Sequence, residues 1–358
     1  MRKEGERTMI AINDLLRLSV ENKCSDIHLS VGVPPKFRIN GTMQCVGSEI
    51  ITPETARDLI LPTMNSRHKE ILQDKGEVDY SYAVDDETRF RVNTFSQKGT
   101  LACVFRRISS IIPQPEQLGL PENVVELYKK KRGLVLVTGP TGSGKSTTLA
   151  SLIDKVNCNR YDHVVTMEDP IEYLHRHKKS TVNQREIGQD TLCYANALKA
   201  VLREDPDVIL VGEMRDLETI STAVTAAETG HLVFSTLHTI GAAATIDRVI
   251  DVFPPHQQQQ IRIQLAMVLE AVISQQLLPT ADGRGRVAAF EIMHSNPAIR
   301  ALVREGKTHQ IMSTIQTNRA LGMITMDDSL AELYQRGTIT RDVALEFAQD
   351  QTYLRKKL

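Results

Sequence analysis

Apolar and polar residues alternate in short runs from residue 25 to residue 108, a period that predicts half-buried β-strands. In one run Phe90 and Val92 share a face, and Arg89 and Arg91 share the opposite face. The turn dipeptide Asn40-Gly41 predicts a hairpin between strands at 36–39 and 42–46. Further strands are expected at 78–84, 88–95 and 100–108, with a helical stretch at about 53–73.

A segment rich in proline separates this region from the rest of the chain. Residues 109–121 contain Pro113, Pro115, Gly119 and Pro121, which is typical of an interdomain linker. The chain has 358 residues, more than the ~250–300 at which a single core stops growing. We therefore expect one domain at 1–108 and a second at 122–358.

Beyond the linker, short apolar runs alternate with helical patterns, which predicts an α/β domain with a parallel sheet covered by helices. Four runs lead into polar residues, at 134–138, 163–167, 208–212 and 232–236. Ligands of open α/β sheets bind outside the carboxyl ends of the strands, so these ends should converge on one site. From about residue 255 the pattern is mainly helical, with one helix expected through Ile261, Leu265, Val268 and Leu269.

The first of these runs leads into a complete phosphate-loop motif, G-P-T-G-S-G-K-S. In such a loop backbone N–H groups surround the phosphates, the lysine adds a positive charge, and the final hydroxyl ligates Mg²⁺. The candidate nucleotide-binding residues are Gly139, Pro140, Thr141, Gly142, Ser143, Gly144, Lys145, Ser146 and Thr147, with Ser146 as the magnesium ligand.

Carboxylates follow two other runs. The run at 208–211 is followed by Gly212 instead of the aspartate usually associated with Mg²⁺, and then by Glu213. We therefore expect Glu213 and Glu168 to organise Mg²⁺, directly or through water, and to orient the attacking water. Asp169 and Glu172 are further candidates. A solvated strand-end acid and a structural ion pair are the alternative interpretations of Glu213 and Glu168.

Two histidines bracket the run at 232–236. His238 follows its carboxyl end, where the phosphates are expected, and His231 precedes it. Imidazoles at these positions could sense or stabilise phosphate charge. Neither has companion ligands at a spacing suited to a metal ion, and a structural role is the alternative for both.

Composition narrows the classes of function. Lys and Arg number 43 against 44 Asp and Glu, and aromatic residues make up 4%, which disfavours a nucleic-acid binder. The five scattered cysteines contain no C-x-x-C pair and predict free thiols. No apolar run is long enough to span a bilayer and the charged start lacks an apolar core, so we expect a cytoplasmic protein.

Nearly the whole chain resembles one family, the type IV pilus retraction ATPases of twitching motility (the PilT family of secretion ATPases). The resemblance lies in SDIHLS from Ser25, RFRVN from Arg89, RGLVLVTGPTGSGKSTTLA from Arg132, EDPIEY from Glu168, VNQREIGQDT from Val182, LREDPDVILVGEMRDLETI from Leu202, TAAETGHLVFSTLHT from Thr225, IDVFPP from Ile250 and GMITMDDSL from Gly322.

The resemblance implies a homohexamer whose subunits have a PAS-like α+β amino-terminal domain and a RecA-like ATPase domain. It identifies Glu168–Glu172 as the Asp box, Glu213 as the acid of a modified Walker B motif, and His231–His238 as the His box. Arg89, Arg91 and Arg106 match the arginines that complete the nucleotide site. The implied partners are an inner-membrane pilus platform protein and a paralogous retraction ATPase, at the inner face of the cytoplasmic membrane.

The segment Ala298–Glu305 is similar to a signature of the retraction class, A-I-R-N-L-I-R-E, and differs at Ala301 and Val303. Asn296 and Pro297 predict a helix start, and Arg300, Arg304 and Lys307 should form a basic stripe that couples hydrolysis to the pilus machinery. The chain lacks the four-cysteine zinc motif of the extension and type II secretion ATPases. An accessory PilU-like ATPase, a related assembly ATPase, a RecA-like nucleic-acid translocase and a nucleotide-dependent scaffold remain the alternatives.

Overall fold

The computed structural model describes residues 10–39, 41–85, 88–108 and 111–358. The chain divides into two compact units. The first holds the described residues up to Ile111 together with Glu172–Leu174, and the second holds Ile112–Ile171 and His175–Leu358. Within the described ranges no helix combines the length and the apolar character that crossing a membrane requires.

The described residues of the first unit form an antiparallel sheet of six strands with three α-helices. Its strands are β1 (Asp26–Ser30), β2 (Lys36–Ile39), β3 (Thr42–Cys45), β4 (Glu77–Ala83), β5 (Arg89–Gln97) and β6 (Thr100–Ile108), in the spatial order β3-β2-β1-β6-β5-β4. Its helices are α1 (Ile12–Glu21), α2 (Pro53–Ile60) and α3 (Ser66–Lys75). Phe37, Phe90 and Phe105 lie at the centre of its core, each at most 1% exposed.

The predicted strands of this unit are present, and the prediction of its helices was incomplete. The expected stretch at 53–73 is two helices, because Pro62 stands in a 3₁₀ turn and Asn65 caps a new helix by accepting a hydrogen bond from His68 N at 2.8 Å. Helix α1 precedes the predicted region. The hairpin strands β2 and β3 pair as expected, while the turn residue Asn40 lies outside the described residues.

The second unit is built on a seven-stranded sheet. Its strands are β7 (Gly133–Thr138), β8 (His163–Glu168), β9 (Thr181–Glu186), β10 (Val208–Val211), β11 (Leu232–Leu237), β12 (Leu269–Pro279) and β13 (Arg286–His294), in the order β13-β12-β7-β11-β10-β8-β9. All neighbours are parallel except β12 and β13, which form an antiparallel hairpin. The predicted parallel sheet is therefore confirmed, with this hairpin added at one edge.

Helices cover both faces of the sheet and continue to the end of the chain. They are α4 (Glu122–Val125), α5 (Lys145–Asn159), α6 (Tyr194–Val201), α7 (Leu217–Glu228), α8 (Ala242–Asp251), α9 (Pro255–Val268), α10 (Pro297–Glu305), α11 (Ile311–Thr317), α12 (Met326–Gln335), α13 (Arg341–Glu346) and α14 (Gln351–Arg355). Two clusters of buried apolar side chains pack against the sheet, and a third lies under the carboxyl-terminal helices.

The prediction of a mainly helical region from about residue 255 was wrong for residues 269–294. Helix α9 ends at Val268, and Leu269 begins β12 instead of continuing the helix. Leu265, Val268 and Leu269 satisfy the helical period, but hydrogen bonding to β7 makes the following segment a strand. Tertiary pairing decided the structure of a segment whose local pattern was ambiguous.

Candidate nucleotide-binding site

The phosphate loop lies between the end of β7 at Thr138 and the start of α5 at Lys145. Gly139, Gly142 and Gly144 have φ values of 139°, 79° and 92°, a region that side chains with a Cβ rarely adopt. Lys145 Nζ donates hydrogen bonds to the carbonyl oxygens of Gly139 and Pro140, both at 2.9 Å. The loop therefore curls around its own lysine, in the form that backbone N–H groups need to surround a phosphate.

The buried hydroxyl of Ser143 shows whether the residues of this loop can bind a phosphate. Its side chain is 2% exposed, and its hydroxyl has no hydrogen-bond partner among the described residues. Burying such a group costs free energy unless something binds it, and a phosphate oxygen is a suitable acceptor. The loop residues thus fit a nucleotide phosphate. Ser146, the candidate magnesium ligand, is the second residue of α5 and is half-buried.

The hairpin strand β12 supports the loop from one side. A Cβ on Gly139 would lie 2.2 Å from the carbonyl oxygen of Gln275, and one on Gly144 would lie 2.8 Å from its Nε2. The side-chain oxygen of Gln275 accepts a hydrogen bond from Thr148 Oγ1 at 2.7 Å. Sequence analysis missed Gln275, because only the pairing of β12 with β7 brings it to the loop.

Glu213 follows β10 at the same edge of the sheet. Its side chain is 12% exposed, and Arg215 Nε contacts its Oε1 at 2.6 Å while His238 Nε2 lies 3.4 Å from its Oε2. The hydrogen bond to Glu213 raises the pKa of Arg215 above its usual value. These residues line a cavity of about 240 Å³ with Thr236 and Arg248. Glu213 is therefore a fixed carboxylate beside a cavity, and Arg215 is a partner that sequence analysis did not single out.

Gly212 leaves room for a tyrosine. A Cβ at Gly212 would lie 2.7 Å from the hydroxyl of Tyr194, 3.1 Å from the carbonyl oxygen of Met167 and 3.4 Å from Glu168 Cα. The Tyr194 hydroxyl thus occupies the space that the side chain of the usual aspartate would need. Burial, followed by the charges of Asp169, Glu213 and Glu168, raises the pKa of Tyr194, so its hydroxyl keeps its proton.

Glu168 is the last residue of β8 and lies at the same edge as Glu213, because Val211 and Met167 are partners in the parallel pair β10–β8. Its Oε1 accepts hydrogen bonds from Thr166 Oγ1 at 2.7 Å and from Gln184 Nε2 at 3.1 Å. Glu172 is exposed. The structure therefore brings the phosphate loop, Glu168, Glu213 and His238 to one edge of the sheet.

A family model described as type II/IV secretion system protein matches residues 2–344. The chain belongs to this family. It is 49% identical over 338 residues to the type IV pilus retractation ATPase PilT of Pseudomonas aeruginosa, covering 94% of this chain and 98% of the relative. It is 40% identical over 341 residues to the type IV pilus ATPase PilU of the same organism, covering 95% and 89%.

A solved structure also matches along nearly the whole length. The crystal structure of the pilus retraction motor PilT with bound ADP has a TM-score of 0.91 and 48% identity, covering 97% of this chain and 100% of that chain. At this similarity the two chains share their fold, and the resemblance drawn from the sequence motifs is confirmed.

The structure separates the two histidines that the secretion-ATPase motifs singled out. His231 precedes β11, and its Nδ1 lies 2.9 Å from the carbonyl oxygen of Ala226. His238 follows the same six-residue strand, seven residues on and about 23 Å away at ~3.3 Å per residue. Of these two histidines, His238 lies at the edge of the sheet that carries the phosphate loop, and His231 lies at the opposite edge.

Three arginines match those of the secretion ATPases in the sequence: Arg89, Arg91 and Arg106. All three lie on one face of the first unit's sheet. Cross-strand register places Arg38, Asp26, Arg106, Arg91 and Ser81 in one row across five strands. Arg106 Nε contacts Asp26 Oδ1 at 2.8 Å, and Arg89 Nη2 donates to Ser81 Oγ at 2.8 Å. Burial alone would raise the pKa of Asp26, but the hydrogen bond from Arg106 lowers it below its usual value.

The segment with the retraction signature begins as predicted. Asn296 caps α10 by accepting a hydrogen bond from Ile299 N at 2.8 Å, and Ile299 and Val303 are buried. The helix ends at Glu305 because Gly306 adopts a left-handed conformation, so Lys307 does not extend the basic stripe as predicted. Arg300 Nη2 lies 3.5 Å from Glu270 Oε1, and Arg304 is exposed.

Proposed function

We propose that this chain is a Mg²⁺-dependent ATPase that powers the retraction of type IV pili as a homohexamer. One observation carries the proposal. A complete phosphate loop and two carboxylates share one edge of a parallel sheet, in a chain 49% identical to a retraction ATPase over nearly its full length. We propose further that residues 1–108 form a PAS-like domain, 109–121 a linker and 122–358 a RecA-like ATPase domain.

Hydrolysis would proceed by in-line attack of water on the γ-phosphate, with positioning and charge neutralisation supplying most of the acceleration. The loop amides and the Lys145 ammonium hold the phosphates. Glu213, which is held by its ion pair with Arg215, accepts a hydrogen bond from the attacking water. Glu168, at the end of the neighbouring strand β8, keeps the residues around Glu213 in position. Ser146, with Glu213 and Glu168, would hold Mg²⁺, which neutralises phosphate charge when bound.

The remaining roles concern neighbours of the subunit. We assign Arg89, Arg91 and Arg106 to nucleotide bound by an adjacent subunit of the hexamer, because arginines stabilise the charge that develops during phosphoryl transfer. Arg300 and Arg304 would couple hydrolysis to an inner-membrane platform protein, with the hexamer peripheral to the cytoplasmic face of that membrane. The departure of Ala301 from the retraction signature favours a second candidate, an accessory ATPase that works beside a paralogous motor.

The decisive experiment replaces the gene in its own bacterium. A deletion strain should lose pilus retraction, the wild-type gene should restore it, and the gene carrying Lys145→Ala should not. Purified protein should hydrolyse ATP at the same rate with and without DNA. Retraction in the deletion strain at the wild-type rate would favour the accessory role, while stimulation by DNA would favour a nucleic-acid translocase. ATP binding without turnover would indicate a scaffold.

A further inference from the structure

The hairpin β12–β13 holds the segment that carries His238. Ser274 on β12 and Glu291 on β13 are direct cross-strand partners. Ser274 Oγ accepts a hydrogen bond from Gly241 N at 2.9 Å, and Glu291 Oε1 accepts one from Ala242 N at 2.7 Å. Two neighbouring side chains of the hairpin therefore bind two consecutive amides, three and four residues after His238.

These contacts replace the cap that α8 lacks. Gly241 is the N-cap of α8 and has no side chain to satisfy the first amides of the helix. Ser274 is 0% exposed and Glu291 is 1% exposed, so water does not compete for these amides. A carboxylate at a helix N-terminus is also favoured by the helix dipole.

The backbone of Gly241 has a positive φ and lies against Glu291 and Gln349. Its φ is +91°, and a Cβ there would lie 3.4 Å from Glu291 Oε1 and 3.5 Å from Gln349 Nε2. The other carboxylate oxygen of Glu291 lies 3.4 Å from Met326 N, at the start of α12. One buried carboxylate thus joins the first residues of α8 and α12.

The same hairpin also supports the phosphate loop. Gln275, the residue after Ser274, contacts Gly139 and Gly144 and accepts the hydrogen bond from Thr148. Ser274 and Gln275, which are consecutive in β12, therefore contact the segment after His238 and the phosphate loop. Hydrolysis depends on the relative position of these two loops. A shift of about 1 Å in this position can cost about 10²-fold in rate.

We propose that Ser274 and Glu291 are positioning residues for ATP hydrolysis. They fix the segment from His238 to Gly241 against the hairpin, which keeps His238 beside Glu213 and at a constant distance from the phosphate loop. Glu291 further ties this segment to the carboxyl-terminal helices through α12. The proposal rests on the ATPase activity proposed above.

The test uses full-length Ser274→Ala, Glu291→Gln and the double variant. Glu291→Gln leaves a single acceptor for two amides, and Ser274→Ala removes the acceptor of Gly241 N. We expect the double variant to lower kcat about tenfold or more, with the KM for ATP and the affinity for a fluorescent ADP analogue within about twofold of wild type. Each single variant should lower kcat by a smaller factor.

Ser180→Ala is the matched control. Ser180 is also buried, and its hydroxyl accepts a hydrogen bond from Asp162 N at 3.2 Å and donates one to the carbonyl oxygen of Arg160 at 2.7 Å, neither of which belongs to the segment 238–242. We expect a lower melting temperature and an unchanged kcat below it. Equal losses of kcat in Ser180→Ala and the double variant would overturn the proposal, as would a wild-type kcat in the double variant.

Two further outcomes are decisive. If Glu291→Gln does not fold, Ser274→Ala alone decides, since it preserves the buried carboxylate; a wild-type kcat there rejects the positioning role. Wild-type protein without ATPase activity would reject the proposed function and this inference together, which distinguishes that result from a failure of the inference alone.

Discussion

The two sheets of this protein present their candidate functional groups in opposite ways. On the six-stranded sheet, Arg91 and Arg106 project from the middle of strands, and Arg106 has 69% of its side chain exposed. At the seven-stranded sheet, the groups lie at the ends of strands or on the loops that follow them, and buried residues such as Gln275 and Glu291 hold these loops. Substitutions of the functional groups in the first region should therefore change activity with little effect on stability. Substitutions in the second region should change both.

The predicted arginines of the first unit, Arg89 and Arg91, offer the largest expected effect. Arg89→Ala with Arg91→Ala should lower ATP turnover by about 10³–10⁵, the range for a lost arginine that stabilises phosphoryl transfer. The melting temperature should fall only slightly, because Arg91 is exposed and the loss of the hydrogen bonds from Arg89 to Ser81 costs about 1 kcal/mol. Steady-state phosphate release and thermal unfolding measure the two quantities.

Mixed hexamers show whether these arginines act between chains. Subunits with the double substitution, mixed with Lys145→Ala subunits, should recover activity that neither variant has alone. Arg67→Ala, at another exposed arginine of the first unit, is the control and should behave as wild type. Full activity in the double variant would remove the arginines from the site.

Glu213→Gln should lower turnover by about 10²–10⁴, the range for a lost acid–base group, and leave ATP binding intact. Lys145→Ala should weaken binding itself, because the charge on the phosphates loses its partner. Equilibrium binding and single-turnover hydrolysis separate these effects. Glu218→Gln, at an exposed acid on α7, is the control; wild-type turnover in Glu213→Gln would transfer the role to Glu168.

Gly139→Ala should damage binding and stability together. The new Cβ would lie 2.2 Å from the carbonyl oxygen of Gln275, so either the loop or β12 must move. We expect nucleotide affinity to fall by about 10–100-fold, equivalent to ~1.4–2.8 kcal/mol. Gly142→Ala is the matched control, because no atom lies within 4 Å of its Cβ and only its backbone conformation is strained. Equal losses in both variants would show that strain alone, and not the hairpin, limits the loop.

Tyr194→Phe removes only the hydroxyl that fills the space beside Gly212. Because this hydroxyl lies among the charges of Asp169, Glu213 and Glu168, removing its dipole should disturb these carboxylates and lower kcat about tenfold, ~1.4 kcal/mol. The KM for ATP should stay within about twofold. Tyr161→Phe, with Tyr161 83% exposed, serves as the control. An unchanged kcat in Tyr194→Phe would leave the tyrosine a packing role only.

Local sequence predicted the parts of the site that are contiguous in the chain. The phosphate loop is one motif, and the strand ends that carry Glu168, Glu213 and His238 follow apolar runs that parallel pairing brings to one edge. Asn296 and Pro297 likewise predicted the start of α10.

Residues that act through tertiary contacts could not be predicted in this way. Gln275 and Gln276 are polar residues buried in β12, so the strand lacks a clean alternation, and the helical spacing of Leu265 and Leu269 predicted the wrong element. Tyr194 and Glu291 are separated by 18 or more residues from the positions they support, Gly212 and Ala242. Only the pairing of the sheet and the packing of α6 bring them to the site.

Gln275→Leu should give the smallest effect and the sharpest distinction. Leucine fills a similar volume but cannot accept the hydrogen bond from Thr148, which costs about 1 kcal/mol of stability. Because Gln275 faces the phosphate loop, the KM for ATP should rise a few-fold, about 0.7 kcal/mol, while kcat stays unchanged. This is the reverse of the split expected for Ser274 and Glu291, which face the loop of His238. Gln276→Leu tests the opposite face of the same strand and should change neither constant. If Gln275→Leu lowers kcat at constant KM, the hairpin acts on both loops as one rigid body, and the assignment of one residue to each loop is wrong.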